Sequence, residues 1–161
     1  MSIRLIVNAD DYGRTAAVSQ GARNAHLFGI VTSTSCMMNM PTVVEDIRTA
    51  LQESPRLGMG VHLVLTSGQP LLPPAQVPSL VAPDGSFLKL DQFLASLNQI
   101  DPEQVRAEWY AQIEKFVATT GRAPTHLDSH HHSSYFTEPL FRHMLELAGE
   151  YGAGIRLVIA Q

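Results

Sequence analysis

The chain has 161 residues, 45% hydrophobic and 16% charged, enough for one domain with its own core and unlike a disordered segment. Its 11 basic residues stand against 15 acidic ones, with no Lys/Arg cluster, which speaks against nucleic acid or an anionic membrane as partner. No apolar run nears the ~18 residues of a membrane span, the N-terminus lacks a signal-peptide pattern, and the single Cys36 cannot close an internal disulfide, so the cytoplasm is the expected compartment.

The apolar run Ile3 to Val7 predicts a first strand buried on both faces. Asn8-Ala9-Asp10-Asp11-Tyr12-Gly13 after it reads as a loop. Thr15 to Phe28 predicts a helix with Thr15 as N-cap and Gly29 as its stop. Ile30 to Met38 predicts a second strand, Thr42 to Gln52 a second helix and Met59 to Leu65 a third strand. Thr66 to Leu88 carries five prolines and two glycines. It cannot be a regular element, and loops this long are usually lids or binding loops. Asp91 to Asn98 predicts a short helix. A longer one follows, with Asp101 as N-cap, Pro102 at its first position, Gln104 in the reciprocal capping role and an apolar stripe of Val105, Trp109, Ile113, Phe116 and Val117. Thr125 to Ser129 predicts a fourth strand, Glu138 to Tyr151 a helix capped by Thr137, and Ile155 to Ile159 a fifth strand.

Strands alternating with helices mean βαβ units and a parallel sheet. A fifth apolar strand needs helices on both faces, and a closed eight-fold barrel takes about 250 residues. The expected fold is therefore α/β: a single domain over residues 1–161 holding about five strands, the N-terminal part of a larger, deformed (β/α) barrel and so incomplete at its C-terminal end. A complete five-stranded open sheet is the alternative. The uncovered apolar surface of an unfinished barrel leads us to expect either association, with a homodimer as one form, or instability of the isolated chain.

In such folds sites form at the carboxyl ends of strands. Three of these ends carry metal-ligand residue types: Asp10 and Asp11 after the first, His62 in the third, and His126-Leu127-Asp128-Ser129-His130-His131-His132 at the fourth. In an extended strand His126, Asp128 and His130 share a face, yet His126 and His130 lie about 13 Å apart at ~3.3 Å per residue. One metal cannot bind both, and His130, nearer the carboxyl end, is the better candidate. Each signal has an ordinary reading: turn and capping chemistry for Asp10 and Asp11, a satisfied core histidine for His62, a solvated loop for the histidine run. Their joint occurrence at three strand ends favours a site, because two His and a carboxylate form a recurrent catalytic metal set with open positions.

Asn8-Ala9-Asp10-Asp11-Tyr12-Gly13, Gly60-Val61-His62-Leu63 and Thr125-His126-Leu127-Asp128-Ser129-His130-His131-His132 resemble, in order and spacing, the three N-terminal motifs of the YdjC-like family, which includes the chitooligosaccharide (diacetylchitobiose) deacetylases. Gly29-Ile30-Val31-Thr32-Ser33-Thr34 and Gly121-Arg122-Ala123-Pro124 extend the likeness over almost the whole chain. The resemblance implies a deformed barrel, one divalent metal ion (Mg²⁺ or Zn²⁺) and removal of N-acetyl groups from a small carbohydrate. It makes Asp11, His62 and His130 the metal ligands and Asp10 the catalytic base. Tyr12 stands where Phe is more usual, and Ser134 where another His is frequent; family members are longer and carry a later His-containing motif. Tyr12 and Asp128 are expected to contact substrate or support the ligands, and the candidate general acid is His132 or a group from the later part that family members carry. Hydrolysis of another carbohydrate bond, and a non-catalytic sugar-binding or regulatory module that keeps the metal, are the alternatives.

Overall fold

The structure, a computed structural model, describes residues 5–157. Five parallel strands, β1 (Asn8–Tyr12), β2 (Ser33–Cys36), β3 (Gly58–Leu63), β4 (His126–Ser129) and β5 (Gly154–Ile155), lie in the order β1-β2-β3-β4-β5. The helices between them are α1 (Ala16–Leu27), α2 (Val43–Glu53), α3 (Leu90–Ala95), α4 (Pro102–Thr120) and α5 (Glu138–Tyr151). Each strand pairs with its successor, and right-handed crossovers repeated in one direction bring the helices to the same face of the sheet.

Alternation along the strands sorts the two faces. Ala9, Thr34, Cys36, Met59, Val61, Leu63 and Leu127 pack towards the helices, against Ile47, Trp109, Ile113, Phe116 and Met144 among others. The opposite face carries Asn8, Asp10, Ser33, Ser35, His62 and Asp128, joined by side-chain hydrogen bonds, with His126 beside them. It borders an open cavity of about 770 Å³. Gly60 lies on this face because a Cβ there would come within 2.6 Å of the His126 ring.

The helices and the middle strands match the sequence reading closely, whereas the first strand does not. Pairing begins at Asn8 opposite Ser33 and runs through the segment read as a loop. Its polar side chains find partners on β2, while Val7 is held by Thr32 and Ser33. Ile3 and Arg4 lie outside the described residues, as do Val158 and Ile159 of the expected fifth strand, which here spans Gly154 and Ile155. The strands are thus apolar on one face only. Gln104 does not close the expected reciprocal cap on α4. Its Oε1 accepts from Ser79 N and Oγ, and Ser79 Oγ in turn accepts from Asp101 N, so the Pro-rich loop supplies that partner. Thr15 caps α1 as expected; Thr137 takes the N-cap position of α5 without a side-chain bond.

The Pro-rich loop is packed rather than loose. It buries Val77, Leu80 and Phe87 and contains a 3₁₀ turn at Pro74–Gln76. Two fully buried polar residues of α4 hold it. Glu108 accepts from the amides of Leu71 and Leu72, and Gln112 bonds both the N–H and C=O of Val64, at 2.9 Å each, where the chain leaves β3. Truncating Gln112 to Ala strands the Val64 amide in the core, which costs about 1–3 kcal/mol. Chemical denaturation of Gln112→Ala is expected to show that loss, and an unchanged midpoint would contradict this role.

Candidate metal centre

In a regular strand, Asp10 and Asp11 would point to opposite faces. The β1–β2 register breaks between Ala9 and Tyr12, and Asp11 takes a left-handed conformation, φ 63°. The break turns Asp11 over the sheet's carboxyl edge while Asp10 keeps the polar face. Tyr12 then returns to the core with no exposed surface. Its hydroxyl donates to Asp46 O (2.7 Å) and accepts from Arg23 (2.9 Å). This corrects the expected substrate contact: the Tyr12 ring locks the strand end in place and is not free to meet a sugar.

Asp11 meets two histidines. Its Oδ1 lies 3.2 Å from His62 Nε2 and 3.1 Å from His130 Nδ1, and the two nitrogens are 3.3 Å apart. Both rings are buried, 3% and 5% exposed, so little water competes for these atoms. Three donors at the corners of a triangle with sides of 3.1–3.3 Å can hold a metal ion. Bonds of about 2.1 Å give ligand–ligand edges of roughly 3.0 Å in an octahedral site and 3.4 Å in a tetrahedral one, which bracket those sides.

Strand register completes the arrangement. His62 and Asp128 are direct partners across β3 and β4, and Asp128 Oδ1 lies 2.6 Å from His62 Nδ1. A proton on Nδ1 leaves the Nε2 lone pair facing Asp11 and His130, the usual carboxylate–histidine support of a metal ligand. His130 begins a 3₁₀ segment, His130–Tyr135, in which His131 and His132 are both left-handed, φ 55° and 56°. His131 stacks on His130 with centroids 4.0 Å apart, and its Nδ1 lies 2.9 Å from Thr66 Oγ1 at the root of the Pro-rich loop. His132 is exposed and makes no hydrogen bond to the trio among the described residues. His126 lies outside the trio, on the polar face, with Nδ1 2.9 Å from Thr125 Oγ1.

Arg156, just beyond β5, is the residue that the sequence reading missed. Its guanidinium grips both oxygens of Asp10, at 2.8 and 2.5 Å, and reaches Asp128 Oδ2 at 2.5 Å. The available signal was a lone cation at the end of the fifth strand. Burial works to raise the Asp10 pKa, but Arg156 and Asn8 outweigh it and bring the carboxyl down to about 2. Hydrogen bonds from His130 and His62 hold Asp11 well below the usual carboxylate range.

Burial works to lower the pKa of His62, yet Asp11 and Asp128 outweigh it and lift the ring from 6.5 to about 9. A pKa raised on folding stabilises the metal-free fold in full below about 6.5 and loses that contribution as pH climbs through about 9. A cation must displace the same proton, so its affinity runs the other way and rises with pH over this range. Zinc competition titrations, paired with melts of the metal-free protein, are expected to show these opposite slopes. Metal affinity independent of pH would contradict the assignment of His62.

The chain is also similar to known proteins over nearly its whole length. The model of the YdjC-like protein family matches residues 4–161. A carbohydrate deacetylase of Clostridium beijerinckii is 42% identical over 158 residues, covering 98% of this chain and 61% of that protein. A chitooligosaccharide deacetylase of Proteus mirabilis is 38% identical over 157 residues, covering 98% and 60%. A crystal structure from Enterococcus faecalis, described as a cellobiose-phosphate cleavage protein, superposes with a TM-score of 0.90 at 39% identity, covering 97% of this chain and 59% of that one. The chain spans about three fifths of the length of these relatives.

Proposed function

Since this chain belongs to the YdjC-like family, we propose that it carries the metal centre of a hydrolase that removes N-acetyl groups from amino sugars or chitooligosaccharides. The observation that carries the reading is the convergence of Asp11, His62 and His130, backed by Asp128 and flanked by Asp10. The deacetylase names of the relatives supply the substrate class. The sequential strand order supports reading residues 1–161 as one domain that forms the first five strands of a deformed (β/α) barrel, with the centre at the strands' carboxyl ends. The cytoplasm and a homodimer belong to the same proposal; among the described residues no helix is long and apolar enough to cross a membrane.

Asp11 Oδ1, His62 Nε2 and His130 Nδ1 would hold the ion, and imidazole donors favour zinc or another transition metal over magnesium. A divalent ion bound there would polarise the acetyl carbonyl and make water acidic enough to attack it. Asp10, whose carboxyl stays ionised throughout the neutral range, is the group we assign to accept the proton of that water. Asp128 keeps His62 in one tautomer and Arg156 keeps Asp10 oriented. The leaving amine needs a proton, and His132 is the donor on this chain that we assign to it. The sheet face beside the centre is polar and Tyr12 is fully buried, so the sugar is held by groups other than Tyr12.

Acetate release from N-acetylglucosamine oligomers by the full chain tests the reading. Chelation is expected to abolish it. Asp10→Asn is expected to keep the metal and lose about 10²–10⁴-fold in rate, whereas Asp11→Asn, His62→Ala and His130→Ala are expected to lose metal, measured by elemental analysis. Loss of metal in Asp10→Asn with retention in Asp11→Asn would exchange the two roles. The Enterococcus faecalis neighbour favours a second reading, cleavage of a phosphorylated disaccharide. Glucose release from cellobiose phosphate without acetate release from the oligomers would select it.

A further inference from the structure

Arg156 ties the two carboxylates that flank the ligands to each other. Its planar fork takes both oxygens of Asp10 on β1, and the same Nη2 meets Asp128 on β4. Its backbone N–H donates to Leu127 O at 3.2 Å, and its carbonyl accepts from the Tyr135 hydroxyl, at the far end of the segment that starts with His130. Three carboxylates, Asp10, Asp11 and Asp128, crowd one edge of the sheet, and the buried Asp128 Oδ2, which has no hydrogen-bond partner, has the Arg156 guanidinium as its ion-pair partner. A bidentate guanidinium meets that geometry; an ammonium carries the same charge without the fork. Resting on the metal-centre reading above, we infer that Arg156 is a positioning residue: it fixes Asp10 and Asp128 in one rigid unit, so that His62 is held for the ion and the base is held for the water.

Two accounts of Arg156 differ in sign. If it acted only as a nearby positive charge, its removal would strengthen cation binding, and Lys would stand in for it. If it positions Asp128 and through it His62, its loss weakens binding, and Lys fails to restore it. The test is titration of the metal-free full chain, wild type, R156M and R156K, with cobalt(II) alone, reading affinity and the visible ligand-field spectrum. Both variants are expected to bind about 10–100-fold more weakly, the usual effect of removing a group that orients a metal ligand, with an altered spectrum. D128N combined with R156K is expected to cost less than the sum of the two single losses, because both act on His62. Where deacetylation is measured, kcat is expected to fall about 10²-fold with KM little changed, as misplacing a reacting group does. Should R156M fail to fold, R156K decides alone. Affinity unchanged or raised in R156K, or full additivity with D128N, would overturn the inference. The cobalt titration needs no substrate, so the inference stands or falls separately from the proposed deacetylation.

Discussion

The centre depends first on the break in β1 between Ala9 and Tyr12. Strand alternation would send one of two consecutive aspartates into the helix-covered core, where an ionised carboxylate without partners is costly. The left-handed turn at Asp11 avoids this, at about 1–2 kcal/mol of backbone strain. Tyr12, fully buried with both lone pair and proton of its hydroxyl engaged, offsets that strain and sets where the chain turns. His131 and His132 repeat the pattern at the end of β4. Among the described residues every non-glycine with positive φ lies at this edge of the sheet, where strain is kept because the surrounding packing over-determines it.

Electrostatics follow from that placement. Asp10, Asp11 and Asp128 come from two strands onto one edge, and cations answer them at graded distances: Arg14 on Asp11, Arg156 on Asp10 and Asp128, His62 between Asp11 and Asp128. Without a metal, a proton on His62 sits between Asp11 and Asp128, and these carboxylates lift that ring despite its burial. The same proton is what an arriving cation displaces, so the site is poised by its own charge excess to exchange one for the other. The helix side of the sheet adds rigidity, since Gln112 grips the chain immediately after β3 and thereby fixes the direction in which His62 leaves the strand.

Helix positions, parallel topology and the three strand ends that bring Asp11, His62 and His130 together were legible because periodicity, Gly/Pro punctuation and residue type mark them directly. The His130-over-His126 choice was legible for a simpler reason: strand rise alone separates the two. What failed to show was a strand made of polar residues. Asn8 to Tyr12 reads as a loop because Asn and Asp favour turns, and it is the backbone pairing with β2, helped by the hydroxyls of Ser33 and Ser35 on Asn8, that makes a strand of it. The same blindness hid Glu108 and Gln112, buried polar groups on a helix whose apolar stripe was plain. Arg156 was hidden because its partners lie 146 and 28 positions away along the chain. Tyr12 was misjudged because an aromatic beside two aspartates suggests a sugar platform, whereas the break in the strand returns it to the core.

The central claim is that Asp11, His62 and His130 together form one metal site. Anomalous diffraction from crystals of the protein loaded with zinc or cobalt addresses it directly. One strong peak is expected within bonding distance of Asp11 Oδ1, His62 Nε2 and His130 Nδ1, with Asp128 still on His62 Nδ1 and His126 uninvolved. A peak bound by His126 or His132 instead, or one that lacks Asp11, would contradict it.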